Sequence, residues 1–198
     1  MTRLSIVLPC YNEAETLPSL FARFAEALGD RTDLEVIFVN NGSTDDSVAV
    51  FAREIAKPGR AFARVVNVEK NQGYGFGIVA GLRAARGEFI GWTHADSQYD
   101  PKIVIEGFAR LLEAPEPTRL FLQGQRVQRP LFDAFFTTGM SVVASLMLGT
   151  RVDDANAQPK LFPRALFAQM TQPPHDFSLD LYALFIARRC GYALVRLP

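Results

Sequence analysis

The sequence predicts an α/β fold, with a mostly parallel sheet covered by helices on both faces. Short apolar runs alternate with amphipathic segments of about 10–15 residues, which is the pattern of repeated strand–helix units. Polar clusters follow several of these runs, at the points where parallel strands would end. The chain has 198 residues, 48% of them hydrophobic, which is enough for one domain with a two-sided core.

Six runs predict strands, at residues 4–8, 34–39, 64–68, 89–93, 120–123 and 192–197. The first five end in turn or cap residues, as strands of a parallel sheet do. The last run lies directly before the chain end, without a closing element after it. We therefore expect the C-terminus to be truncated.

Cap residues predict where the intervening helices begin. Asn12 with Glu15 resembles a capping box before an apolar stripe that reaches residue 28. Ser43 or Thr44 is expected to cap a helix that ends near residue 56. The Asp100-Pro101 pair predicts a capped helix that ends near residue 112.

Composition excludes some functions and favours a compartment. Lys and Arg together number 21, and so do Asp and Glu, so the chain lacks the basic excess of a nucleic-acid binder. Cys10 and Cys190 lie in or beside separate apolar segments, which favours free thiols in a reducing cytoplasm. No apolar run reaches the roughly 18–20 residues of a membrane-spanning helix. The nearest, at 130–148, predicts a core helix or a helix at a membrane interface.

The stretch that follows the fourth predicted strand carries metal-binding groups at alternate positions. His94, Asp96 and Gln98 can converge, because alternate residues of an extended segment point to the same side. Imidazole, carboxylate and amide oxygen suit Mn²⁺ or Mg²⁺, and a substrate diphosphate would complete the shell. The alternative is a polar turn that leads into the Asp100 cap.

Two further clusters lie at the same predicted edge of the sheet. The amides of residues 40–45 could hold a base or ribose, although a glycine turn with a helix cap explains the same residues. Residues 75–80 fit the G-x-G-x-x-A dinucleotide pattern, with Asp96 about 20 residues further on. That pattern favours an NAD-type oxidoreductase, but it belongs in the first strand–helix turn and here follows the third strand.

The second half of the sequence contains two charged residues that could have functional roles. Arg126 follows the fifth predicted strand and could clamp a phosphate through two parallel hydrogen bonds, or be a surface cation. Asp180 begins a helix-like segment and could be a helix-start carboxylate or a catalytic base. The residues alone leave both alternatives open.

Taken in order, these motifs resemble the family 2 glycosyltransferases of GT-A fold. The resemblance is carried by SIVLPCYNE at 5–13, VNNGSTD at 39–45, NQG at 71–73, AARG at 84–87 and HADSQYDP at 94–101. The branch it is most similar to is that of the dolichyl-phosphate mannosyltransferase-like, or polyprenyl-phosphate, glycosyltransferases. It implies one domain over 1–198, a Rossmann-like three-layer α/β/α arrangement with a nucleotide-sugar half at 1–101 and an acceptor half at 102–198.

The resemblance also implies roles for individual residues. Those that would hold the nucleotide are Pro9, Tyr11, Asn12, Glu13, Asn41, Gly73 and Asp96. The family's Asp-x-Asp-x-Gln metal motif maps onto His94, Asp96 and Gln98, with His where the first Asp usually stands. Asn41 likewise stands where the family usually has Asp. Arg126, Gln158 and Lys160 would face the acceptor, and Asp180 matches an acidic residue before the last helix.

The implied activity is metal-assisted, inverting transfer of a sugar from a UDP- or GDP-sugar to a polyprenyl or dolichyl phosphate. The residues expected to be catalytic are Asp96, Arg126 and Asp180. The enzyme would be cytoplasmic and would meet its lipid acceptor peripherally, at the inner face of the membrane, in cell-envelope assembly. The alternatives are the oxidoreductase above and a non-catalytic nucleotide-sugar-binding domain, which His94 and Asn41 motivate.

Overall fold

The computed structural model describes residues 2–95, 100–125 and 155–197. Its centre is a seven-stranded sheet in the order β3-β2-β1-β4-β6-β5-β7. The strands are β1 Leu4–Cys10, β2 Leu34–Asn41, β3 Ala63–Val68, β4 Phe89–Trp92, β5 Leu120–Gly124, β6 Lys160–Pro163 and β7 Ala193–Leu197. The helices are α1 Leu17–Leu28, α2 Ser47–Ile55, α3 Tyr74–Ala84, α4 Pro101–Glu113, α5 Arg164–Phe167 and α6 Leu179–Arg189, and Pro117–Arg119 forms a short 3-10 helix.

The sheet is parallel except at β6, among the strands that the structure describes. Strand β6 pairs antiparallel with β4 on one side and with β5 on the other. Sequence analysis did not predict β6, because it has only four residues and begins with a lysine. Its partners on both sides bury it completely, which is information that a local pattern does not contain.

Helices cover both faces of the sheet, which confirms the predicted three-layer α/β/α class. Strand β1 alternates between the two faces, since Ile6 packs into one apolar core and Val7 into the other. One core lies under α1, α2 and α4, and the other lies under α3 and α6. Residues close to the ends of β1, β2 and β4 belong to these cores, namely Cys10 and Ala95 in one and Val39 and Trp92 in the other. The backbone at that edge of the sheet is therefore held by packing on both faces.

Two of the predicted helix caps are wrong. Helix α1 begins at Leu17 instead of after Asn12, which has a left-handed φ of 56°. Helix α2 begins at Ser47, and neither Ser43 nor Thr44 caps it. In both cases the expected cap side chain bonds to the neighbouring loop instead. The cap predicted at Asp100 is confirmed, because its carboxylate accepts a hydrogen bond from the Lys102 N–H at 2.9 Å.

Both cysteines are free thiols, as predicted, with Cys10 buried and Cys190 half-buried. Burial raises the pKa of the Cys10 thiol well above its usual range. Within the described ranges, no helix has the length and apolarity to cross a membrane. The predicted 130–148 helix lies outside the described residues.

Candidate functional site

The ends of β1 and β2 are joined by hydrogen bonds between the loops that follow them. The side-chain oxygen of Asn12 accepts from the Thr44 N–H at 2.8 Å, and the Asn12 N–H donates to Ser43 Oγ at 3.1 Å. Asp45 accepts from the Ala14 N–H at 3.1 Å. Hydrogen bonds from Ser47 lower the pKa of Asp45. The segment with Tyr11, Asn12 and Glu13 is therefore fixed against the 43–47 turn, as a preformed binding edge requires.

Asn41 ties the end of β2 to the turn before α3. Its Nδ2 donates to the Gly73 carbonyl at 3.0 Å, and its Oδ1 has no hydrogen-bond partner among the described residues. Gly73 has a φ of 113°, and a Cβ there would lie 2.3 Å from the His175 carbonyl oxygen. The predicted nucleotide residues Pro9, Asn41 and Gly73 thus lie on one edge of the sheet, with the 174–176 loop packed against it.

The glycines of the dinucleotide-like pattern serve packing inside a helix. Residues 75–80 all lie within α3, so they form no loop that could cradle a pyrophosphate. A Cβ on Gly77 would lie 2.9 Å from the Asn41 side chain, and one on Gly75 would lie 2.4 Å from the Pro174 carbonyl oxygen. Close helix packing therefore accounts for these glycines.

Of the predicted metal ligands, His94 is placed by the structure. It is half-buried just beyond β4, with its ring centroid 6.1 Å from that of Tyr74. Asp96 and Gln98 lie outside the described residues, as does Arg126. Among the residues that are described, no group of three or more His, Cys, Asp or Glu side chains is arranged to hold a metal. The predicted imidazole, carboxylate and amide set still suits Mn²⁺ by its chemistry.

Asp180 lies at the centre of a buried polar cluster, here called the Asp180 cluster, with Lys160, Trp92 and Gln158. Its Oδ1 lies 2.6 Å from Lys160 Nζ and accepts from Trp92 Nε1 at 3.1 Å and Gln158 Nε2 at 2.9 Å. Lys160 also donates to the Ala157 carbonyl at 2.9 Å and lies 5.6 Å from the centre of the Trp92 ring. Two N–H donors and the positive charge of Lys160 therefore converge on one carboxylate oxygen of Asp180.

Tyr74 connects this cluster to the edge with Asn41 and Gly73, because it directly follows Gly73 at the start of α3. Its hydroxyl lies 3.5 Å from Gln158 Nε2, and its ring stacks on Phe177 with centroids 4.7 Å apart. Burial, together with the charge of Asp180, raises the pKa of Tyr74 well above its usual range, so the hydroxyl keeps its proton. Phe177 is 69% exposed, which leaves much of its surface open beside the cluster.

The match to the model of glycosyl transferase family 2 extends over residues 5–163, about four fifths of the chain. The chain belongs to glycosyl transferase family 2. The match includes the loops after β1 and β2, the turn before α3, and Gln158 and Lys160, while the 174–176 loop and Asp180 follow its last residue.

Two curated relatives are similar over much of the chain. An undecaprenyl-phosphate 4-deoxy-4-formamido-L-arabinose transferase of Serratia proteamaculans is 29% identical over 74% of this chain and 43% of its own length. A dolichyl-phosphate beta-glucosyltransferase of Mus musculus is 27% identical over 94% of this chain and 63% of its own length. The chain therefore spans less than two thirds of either relative.

A solved structure confirms the GT-A type of fold. The mannosyltransferase of Pyrobaculum calidifontis, in complex with GDP-Man and Mn²⁺, superposes with a TM-score of 0.73 at 22% identity. The superposition covers 99% of this chain and 55% of that one. At this identity the likeness establishes the shared fold.

Sequence analysis missed Trp92 and Tyr74, which the structure places beside predicted site residues. The chain has one tryptophan, directly before the polar cluster that begins at Thr93, and its position was the available signal. Trp92 and Asp180 are 88 residues apart, and Tyr74 and Gln158 are 84 apart, so neither contact leaves a local pattern. Gln158, Lys160 and Asp180, predicted separately, are brought together in one cluster.

Proposed function

We propose that this chain transfers a sugar from a nucleotide diphosphate to the phosphate of a polyprenyl lipid. The observation that carries the proposal is the family match over residues 5–163, which includes the donor edge. Two similar relatives are named for transfer to undecaprenyl and dolichyl phosphate, which favours a lipid phosphate as acceptor. The proposal includes a single domain with a donor half at 1–101 and an acceptor half at 102–198.

On the donor side, seven residues are proposed to bind the nucleotide. They lie at the end of, or follow, β1, β2 and β4 along the chain or, for Gly73, directly precede α3: Pro9, Tyr11, Asn12, Glu13, Asn41, Gly73 and Asp96. His94, Asp96 and Gln98 are proposed to hold a divalent cation, Mn²⁺ or Mg²⁺, and a complex with Mn²⁺ is known for the similar mannosyltransferase. Such a cation, when bound, would offset the negative charge that develops on the leaving diphosphate.

On the acceptor side, Arg126 is proposed to clamp the lipid phosphate, and Lys160 and Gln158 to border it. A phosphate acceptor is largely ionised at neutral pH, so it needs no general base. Asp180 would act as a base only towards a sugar hydroxyl, as the alternative acceptor requires. A lipid acceptor would be met at the inner face of the membrane, where we propose the enzyme works in cell-envelope assembly.

A donor screen tests the proposal. UDP-glucose, UDP-galactose and GDP-mannose, each with Mn²⁺ or Mg²⁺, are compared by the shift they cause in the melting temperature. We expect one of them to stabilise the chain and then to be consumed when a short polyprenyl phosphate is added. Stabilisation by NADH with none by any nucleotide sugar would overturn the proposal and favour the oxidoreductase.

Asp96→Ala distinguishes catalysis from mere binding. We expect transfer to fall by a factor on the order of 10³, since a charged group that acts on the leaving diphosphate would be lost. Asp30→Ala is the matched control, because Asp30 is exposed in the turn after α1. If the wild-type chain and Asp96→Ala are equally inactive while nucleotide-sugar binding persists, the chain is a non-catalytic binding domain.

A further inference from the structure

The side-chain amide of Gln158 forms hydrogen bonds through its NH₂ group, while its oxygen has no hydrogen-bond partner among the described residues. We propose that Gln158 determines sugar specificity, because its Oε1 accepts a hydrogen bond from a hydroxyl of the transferred sugar. The inference rests on the proposed function and specifies which chemical group of the donor the residue recognises. Asp180 acts here as a positioning residue that orients the Gln158 amide.

The orientation of the amide follows from its neighbours. Gln158 Nε2 lies 2.9 Å from Asp180 Oδ1 and 3.5 Å from the Tyr74 hydroxyl. An ionised carboxylate can only accept, so the NH₂ end of the amide must face Asp180. The oxygen is thereby directed away from Asp180.

The side-chain oxygen of Gln158, Oε1, lacks a hydrogen-bond donor in the part of the chain that the structure describes. Gln158 is 9% exposed, and its Oε1 is buried without a hydrogen-bond partner among the described residues. A buried acceptor without a partner has lost its hydrogen bonds to water and gained none in return, so such groups usually have a partner in the functional state. A ligand that supplies a donor would remove this penalty when it binds.

Of the groups in the proposed reaction, the nucleoside and the transferred sugar offer suitable donors. The residues proposed for the nucleoside lie at or after the ends of β1 and β2, and β4 separates those strands from β6, which Gln158 precedes, so the transferred sugar is the group placed to reach it. A diphosphate and an ionised lipid phosphate present oxygens that accept, and an isoprenoid chain presents no polar group. A metal ion at Oε1 is disfavoured, because Lys160 Nζ lies 2.6 Å from the same Asp180 oxygen that Gln158 contacts, and its positive charge would repel the ion. A sugar carries several hydroxyls, each able to donate.

The position of Gln158 fits this role. Tyr74 lies between Gln158 and His94, with its hydroxyl 3.5 Å from Gln158 Nε2 and its ring centroid 6.1 Å from that of His94. His94 belongs to the set proposed to hold the cation, which would bind the donor diphosphate. Since the transferred sugar is bonded directly to that diphosphate, it would lie near His94 and Tyr74, on the side from which Tyr74 contacts Gln158.

The backbone of Gln158 is fixed, so the oxygen is held ready for a ligand. A Cβ on Gly124 would lie 1.8 Å from the Gln158 carbonyl oxygen, which means that β5 runs directly against this backbone. On the other side, Asp180 is held by Lys160 and by Trp92. Selectivity of this kind depends on such rigidity, because a mobile amide would adapt to any hydroxyl pattern.

The inference is tested by combining changes in the substrate, one hydroxyl at a time, with a change at Gln158. The probe is UDP-glucose or GDP-mannose, depending on which of the two the wild-type chain binds. It is compared with its own forms that lack the hydroxyl at position 2, 3, 4 or 6 of the sugar. Dissociation constants and kcat/KM are measured for the wild type and for Gln158→Met, which keeps side-chain length but loses the carbonyl oxygen. Gln169→Met is the matched control, since Gln169 is exposed after α5.

We expect one deoxy donor to lose about 10- to 100-fold in kcat/KM with the wild type and with Gln169→Met, and little with Gln158→Met. A merely structural role would weaken all donors equally and leave the deoxy ratio unchanged. An unchanged ratio overturns the inference, and so does a wild type that treats every deoxy donor like the parent.

Two other outcomes are also decisive. If Gln158→Met does not fold, Gln158→Asn replaces it, because Asn keeps the amide but withdraws its oxygen by one methylene. The deoxy penalty must then fall, and its full persistence overturns the inference. If the wild type binds neither probe nor any other nucleotide sugar, the proposed function itself has failed, and the inference falls with it.

Discussion

At the scale of single residues, His94 stands where the family usually has a carboxylate, so as the proposed ligand it would bring an imidazole to the cation in place of a negative charge. Imidazole can ligate Mn²⁺ but is a poorer ligand for Mg²⁺, which prefers oxygen. We therefore expect His94→Asp to raise the affinity for Mg²⁺ relative to Mn²⁺, as measured by calorimetric titration of each ion in the presence of UDP.

His175→Asp is the matched control for that prediction. It changes the only other histidine of the chain, which is exposed in the loop before α6. The Mn²⁺-to-Mg²⁺ ratio should stay at the wild-type value in this control. An unchanged ratio in His94→Asp itself would mean that His94 does not ligate the cation.

Lys160 and Asp180 form a buried pair whose partners depend on each other. We expect Lys160→Met to lower the free energy of unfolding by about 3–5 kcal/mol, because Asp180 would keep a buried charge without its cation. Adding Asp180→Leu to that variant should restore part of the loss, since both charges are then absent. Urea unfolding of the single and double variants measures both effects.

The exposed pair of Arg31 and Asp33 provides the comparison. Its two charges are 3.0 Å apart, but both side chains are partly open to solvent. Arg31→Met should therefore change the free energy of unfolding by less than about 1 kcal/mol. A similar small loss in Lys160→Met would show that the ionised Asp180 does not depend on its buried partner.

At the scale of secondary-structure elements, β6 depends on the absence of a side chain in β4. Gly91 pairs with Leu161, and a Cβ at Gly91 would lie 1.9 Å from the Lys160 carbonyl oxygen. Because that oxygen belongs to the backbone, Gly91→Ala must separate the two strands. We expect a loss of about 3 kcal/mol or more in the free energy of unfolding, measured by urea denaturation.

Gly59→Ala separates this effect from a general effect of removing glycine. Gly59 lies in the turn after α2 with a φ of 75°, and a Cβ there would have no atom within 4 Å. Gly59→Ala should therefore lower the free energy of unfolding by only about 1–2 kcal/mol, which is roughly the strain of a residue other than glycine in the left-handed region. Equal losses in the two variants would contradict the close packing of β4 against β6.

Elements with a strong local pattern could be predicted from the sequence. The strand runs at 4–8 and 34–39 are apolar and bounded by turn residues, and the structure places β1 and β2 there. The starts of α1 and α2 could not be predicted in this way. Asn12 has a favourable side chain for a cap, but it bonds to the Thr44 N–H, 32 residues away. The residue types indicate which side chains can donate or accept hydrogen bonds. Which of them pair depends on the tertiary fold, which brings residues distant in sequence together.

At the scale of the whole molecule, the same limit applies to the site. The sheet edge with Asn12, Asn41 and Gly73 could be predicted, because parallel strands bring their carboxyl ends together. The Asp180 cluster could not, since it joins β4, β6 and α6, and β6 runs against the direction of its neighbours. One antiparallel strand thus brings Gln158 and Lys160 to the edge that the parallel strands build.

The opposite edge of the sheet carries a buried network that links β1, β2, β3 and the turn before β4. Glu35 accepts from Ser5 Oγ at 2.6 Å, from Arg64 Nη1 at 3.0 Å and from the Arg86 N–H at 2.7 Å. Burial by itself raises the pKa of Glu35, but the hydrogen bonds and the charge of Arg64 outweigh it, so the pKa is lowered overall. The ionised carboxylate is therefore bound more tightly in the folded chain than in the unfolded one.

This network predicts how stability depends on pH. A lowered folded-state pKa contributes stability that is present above the unfolded pKa of about 4.3, and that is lost as the pH falls through the folded value. Glu35→Gln should therefore be less stable than the wild type at pH 7, by about 1–3 kcal/mol, because Arg64 loses its charged partner. The difference between the two should shrink as the pH falls below about 4.3, as followed by urea unfolding at several pH values. A difference that stays constant down to pH 3 would mean that the charge of Glu35 does not stabilise this edge, and that its hydrogen bonds alone join the four segments.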